Sequence, residues 1–103
     1  MKIQVYSVYD SVAELYSQPF YSHSNLTAQR LLQNAVNAEG HNYNANPEDY
    51  TLFNLGEFDD NTGVSTSKIT KVLDLITLKK SDQPLPQQVD NSLDQIQITK
   101  QAN

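Results

Sequence analysis

Glu57, Asp59 and Asp60 form the densest acidic cluster in the chain, and three carboxylates so close in sequence raise two chemistries. One is a hard cation held by converging oxygens; the other is a general acid and base pair. The run Glu57-Phe58-Asp59-Asp60-Asn61-Thr62-Gly63 lacks the alternating Asp order and the distal Glu of a calcium loop, and short polar side chains ahead of a glycine are what a tight turn requires. His23 and His41 lie in different segments with no carboxylate at ligand spacing, so neither a zinc site nor an activated nucleophile is expected. The glycines, Gly40, Gly56 and Gly63, make no phosphate loop. No catalytic residue, metal ligand or cofactor site is assigned, and the chain is expected not to be an enzyme.

Aromatic side chains pose the other chemical possibility. Tyr6, Tyr9, Tyr16, Phe20 and Tyr21 fall in the first 21 residues, and rings displayed on a sheet are what single-stranded nucleic acid stacks upon. With Lys2 and Arg30 as the nearby cations, the candidate nucleic-acid-binding residues are Lys2, Tyr6, Tyr16, Phe20 and Arg30. The competing assignment puts these rings in the core beneath a helix, each hydroxyl reaching water or backbone. Charge favours the core: seven Lys and Arg stand against twelve Asp and Glu, a net −5, and Lys79-Lys80 is the largest basic cluster. Phosphate-dominated binding needs a basic face.

The elements that would position these residues are legible in part. Lys2 to Tyr9, with Ile3, Val5, Tyr6, Val8 and Tyr9, reads as a first strand broken by Asp10-Ser11. The chain then reads either as an extended segment from Leu15 to Tyr21, made irregular by Pro19, or as a helical turn capped by Asp10 through Val12, Ala13 and Glu14. Ala28, Leu31, Leu32, Ala35 and Val36 share one helical face, which predicts a helix from Leu26 to Ala38, started by Ser24 or Asn25 and closed by Gly40. His41 to Pro47 reads as a loop. Tyr50 to Leu55 is rich in β-formers and apolar on both faces, Glu57 and Phe58 lead into the turn Asp59 to Gly63, and a return strand from Val64 closes a hairpin. Ile69, Val72, Leu73 and Ile76 fit the spacing of a short helix over 69–78, although the β-branched content also permits a strand.

From Ser81 to Asn103 the chain carries Pro, Gln and Asp with no aromatic residue and only isolated apolar ones such as Leu93, Ile96 and Ile98. The expected organisation is an α+β domain over 1–80 and a flexible polar tail over 81–103. In that domain a small antiparallel sheet, built from the N-terminal strands and a β-hairpin, packs on one main helix. The chain has no cysteine, which excludes disulfides and thiolate metal sites, and it has no long apolar run, so no membrane association is expected.

Three blocks carry a resemblance: Val8-Tyr9-Asp10-Ser11, Gln18-Pro19-Phe20, and Pro47-Glu48-Asp49-Tyr50-Thr51-Leu52-Phe53 continuing to Leu55-Gly56-Glu57-Phe58-Asp59. In order and spacing they resemble the small nonstructural protein of gokushoviruses, single-stranded DNA phages of the microvirus group. The resemblance covers Met1 to Leu78. It implies a protein absent from the virion and made in the host bacterial cytoplasm. It further implies a role in switching replication towards packaged single-stranded genomes, with the viral replication initiator or procapsid proteins as partners. Single-stranded DNA is the alternative partner. The resemblance brings no catalytic residues with it.

Overall fold

The structure, a computed structural model, describes residues 1–80; the tail expected over 81–103 lies outside them. The fold is α+β, a five-stranded antiparallel open sheet covered on one face by a single main helix. β1 (Lys2–Asp10) is its hub. One edge of β1 carries two short strands in succession, β2 (Leu15–Tyr16) against Tyr9 and Asp10, and β3 (Phe20–Ser22) against Gln4 to Tyr6. The other edge pairs along its whole length with β4 (Tyr50–Asp59), which pairs in turn with β5 (Ser65–Asp74).

Both readings of the segment after β1 hold in part. Asp10 Oδ1 accepts from the amides of Val12 and Ala13 at 2.9 and 3.2 Å, and the Glu14 amide reaches the Asp10 carbonyl at 2.7 Å, so a capped turn does form. Glu14 ends it in the left-handed region, at φ 59°. The extended segment then follows, split into β2 and β3 around Pro19, which has no amide to give a ladder.

The main helix, α1, spans Asn25–Val36, with Ser24 Oγ accepting from the Thr27 amide at 3.2 Å as its N-cap. It stops short of Ala38, and its C-cap is Asn37 rather than a turn at Gly40. Asn37 ends the helix because its Nδ2 donates both to the Gln33 carbonyl at 2.8 Å and to the Leu78 carbonyl at 3.0 Å, tying the helix end to the end of the described chain. The expected loop at 41–47 contains a short helix, α2 (Asn42–Ala45), started by His41 Nδ1 accepting from the Tyr43 amide at 3.0 Å. A 3₁₀ turn over Pro47–Asp49 leads into β4.

The short helix expected over 69–78 does not form. Ile69, Thr70 and Val72 extend β5 instead, because β-branched residues fit a pleated strand and β4 offers its whole edge as a partner. Only Leu75–Leu78 is helical, as a 3₁₀ turn that delivers Leu75 into the core. That core is Tyr6 and Val8 from β1, Leu52 from β4, Ala28, Leu32 and Val36 from α1, and Leu75, with Phe20, Tyr43, Tyr50, Val72, Leu73 and Leu78 packed around it. Full burial of each large aliphatic side chain contributes about 1.5–3 kcal/mol.

Candidate functional site

The middle of β4 departs from regular pairing. On the β1 side Val5 faces Gly56 while Tyr6 faces Asn54, leaving Leu55 as an extra residue. On the β5 side Asn54 faces Thr70 and Gly56 faces Ser67, so Lys68 and Ile69 oppose Leu55 alone. Two strands thus bulge at one level, which re-aims the side chains there. Gly56 makes this possible: its φ is +132°, and a β-carbon at that position would lie 1.9 Å from the Thr66 carbonyl oxygen.

Beside the bulge, near the start of α1, is a cleft of about 300 Å³ bordered by Gln4, Asn25, Asn54, Glu57, Thr66, Lys68 and Thr70. Its three carboxamides are tied into the fold through their oxygens. Asn25 Oδ1 accepts from the Tyr6 hydroxyl at 2.7 Å, Gln4 Oε1 accepts from Asn54 Nδ2 at 3.1 Å, and Asn54 Oδ1 accepts from the Gly56 amide at 2.8 Å. Burial pushes the Tyr6 phenol above its usual range, so it remains a donor at neutral pH.

The opposite face of the sheet, away from α1, is aromatic and has no helix over it among the described residues, although Ser7 at its centre is buried beneath Ser17 and its neighbours. The register places Ile3, Val5, Ser7 and Tyr9 there, opposite Phe58, Gly56, Phe53 and Thr51. Tyr9, Tyr16 and Phe53 interlock, with Tyr9 to Tyr16 centroids 4.8 Å apart and Tyr16 to Phe53 5.5 Å, while Tyr21 leans on Phe58 at 6.4 Å. Tyr16 is 47% exposed and Tyr21 62%. Along the sheet edge, β5 pairs with β4 alone, and every residue from Ser65 to Lys71 is exposed.

The candidate nucleic-acid residues do not form one surface. Tyr6 has no exposed surface and is a core ring with Phe20 stacked on it at 5.7 Å, so neither is an open platform for a base. Tyr16 is on the other face of the sheet, Arg30 is exposed on α1, and exposed Lys2 lies with its Nζ 3.9 Å from Glu57 Oε1. The rings of this face that sequence alone did not select, exposed Tyr21 and half-buried Phe53 and Phe58, were hidden by the uncertain pairing partner of each strand. Period-two alternation assigns a face only once the register is known.

The acidic cluster is occupied by structural work. Asp60 Oδ1 accepts from the N-terminal ammonium at 2.8 Å, and Asp59 Oδ1 accepts from the Asn61 amide at 2.9 Å. That amide, with the N-terminal ammonium nearby, holds the Asp59 carboxyl below its usual range. Among the described residues no three His, Cys, Asp or Glu side chains are grouped to hold a metal, and no helix is long and apolar enough to cross a membrane. His23 borders a separate cleft with Tyr21 and Leu31, far in sequence and element from the α2 cap at His41.

No curated protein and no solved structure matches this chain. A family model described as Phage ORF5 protein matches residues 3–78, which include every strand and helix described above except the first residue of β1. Over so large a share of its length, the chain belongs to the Phage ORF5 protein family, a family of bacteriophage proteins.

Proposed function

We propose that this phage protein is a nonenzymatic, nonstructural factor of the gokushovirus type that regulates viral single-stranded DNA synthesis and its coupling to genome packaging through protein contacts. The partners that fit are the viral replication initiator and procapsid proteins, met in the host bacterial cytoplasm. The observation that carries the protein-contact part is the combination of an aromatic sheet face with no helix over it and the exposed outer edge of β5, among the described residues. Exposed aromatic residues grouped on one face are favoured for macromolecular contact, and an open strand edge offers backbone pairing to a partner. The family supports a phage protein, and the viral process itself rests on the resemblance carried by the Pro47 to Asp59 block.

The test is co-purification of the tagged protein with the initiator and procapsid proteins from infected cells, repeated with Tyr16→Ser. Recovery of either partner by the native protein, and its loss in the variant at unchanged folding, is expected. Recovery of neither overturns the proposal. A second reading, direct binding of single-stranded DNA, draws on the exposure of Tyr16 and Tyr21 on the same side of the sheet. It predicts salt-sensitive binding of a fluorescent single-stranded oligonucleotide over duplex, weakened by Tyr16→Ser and Tyr21→Ser.

A further inference from the structure

The cleft beside the β4 bulge has an unusual balance of hydrogen-bonding groups. A carboxamide has an oxygen that accepts and an NH₂ that donates, and which way it points is fixed by the network around it. Here the oxygens of all three bordering carboxamides are engaged within the protein, by the Tyr6 hydroxyl, by Asn54 Nδ2 and by the Gly56 amide. The NH₂ groups of Gln4 and Asn25 therefore remain as donors, whereas the Asn54 NH₂ already serves Gln4 Oε1 and the Tyr6 hydroxyl. Thr66, Thr70 and Lys68 add two hydroxyls and an ammonium to the same rim. Lys71 also borders the cleft, but its Nζ is held by Asp74 at 3.2 Å.

Asn25 is the first residue of α1, so the positive end of the helix dipole lies at this border as well. Glu57 is the one acidic side chain bordering the cleft among the described residues, and its carboxylate is 3.9 Å from Lys2 Nζ. A protein with net charge −5 has thus gathered amide and hydroxyl donors and the Lys68 ammonium at one place, with the amide oxygens engaged within the protein.

We infer that this cleft is a binding site for a phosphate group, taken either as a terminal phosphate or as part of a phosphodiester chain. Phosphate offers only acceptor oxygens, the complement of this donor set, and about 300 Å³ accommodates it together with part of an attached sugar. The site is distinct from the exposed Tyr16 and Tyr21 surface and does not depend on the protein-contact role.

The experiment is a titration of the isotopically labelled full chain, followed by NMR, with three separate probes: inorganic phosphate, thymidine 5′-monophosphate and a short oligothymidylate. The side-chain NH₂ signals of Gln4 and Asn25 are expected to shift together. Equal affinity for the monophosphate and the oligonucleotide identifies a terminal-phosphate site, and much tighter oligonucleotide binding identifies a phosphodiester site. Asn25→Asp keeps an oxygen for the Tyr6 hydroxyl and places a carboxylate where the helix dipole favours it, so folding is retained while a donor is replaced by a like charge. It should weaken binding at least tenfold, and Lys68→Gln, at an exposed position, severalfold. No shift of these signals with any probe, or affinities that neither substitution changes, would overturn the site while leaving the co-purification result untouched.

Discussion

Gly56 concentrates more constraint than any other single position described. A methyl group there meets the Thr66 carbonyl at 1.9 Å in a backbone conformation that L residues rarely adopt, and the obstacle is backbone, which has no rotamer to yield. Gly56→Ala is expected to destabilise by roughly 4 kcal/mol or more in urea unfolding, in the range reserved for strain and overpacking. Gly40 is the control: its φ is +90° but nothing lies within 4 Å of the added carbon. Gly40→Ala should cost about 1 kcal/mol, from backbone strain alone. Tyr6 sets a second residue-scale test. Tyr6→Phe keeps the stacked ring but leaves Asn25 Oδ1 without its donor, a loss of about 1 kcal/mol, and should broaden the Asn25 side-chain amide signals.

At the scale of elements, α1 depends on its cap and its buried face. Ser24→Ala removes the acceptor for the Thr27 amide and should lower stability by about 1 kcal/mol, whereas Leu32→Ala, which opens a cavity against β1 and β4, should cost about 2–5 kcal/mol. These two expectations rest on features visible in the sequence, because a helix repeats its apolar face locally and announces its start with a side chain. The hairpin around Asp59 to Gly63 was equally legible, since the turn residues and flanking β-formers are contiguous. The end of α1 was not. Asn37 caps it through the Gln33 carbonyl, but its side chain is held there by also donating to the carbonyl of Leu78, a partner 41 residues away that no local pattern encodes. The 69–78 segment was ambiguous for a similar reason: the same apolar spacing suits either form, and the decision lies in β4 having a free edge. The cleft was illegible because Gln4, Asn25, Asn54 and Lys68 come from four elements and meet only through a bulge whose register the sequence does not print.

For the whole molecule, acid is the expected weak point. The Lys71 ammonium and the Thr51 hydroxyl hold the Asp74 carboxyl below its usual range, and the Asn61 amide does the same for Asp59. A carboxylate with a depressed folded pKa contributes stability above its unfolded value of about 4 and loses it as pH falls through the folded one. Thermal midpoints should therefore be flat near neutrality and fall below pH about 4. Asp74→Asn should make that descent shallower, with a modest effect because the pair is partly solvent-screened.

The pairing of β1 with β4 also orders events during synthesis. Lys2 is matched to Asp59 and Asp10 to Tyr50, so β1 leaves the ribosome long before its principal partner exists. Until then only the short β2 and β3 can protect it, and the aromatic face is open to chaperones throughout that interval. A translational pause placed after the codons for β4 would shorten this exposure relative to one placed before them, and the yield of soluble protein should follow that order.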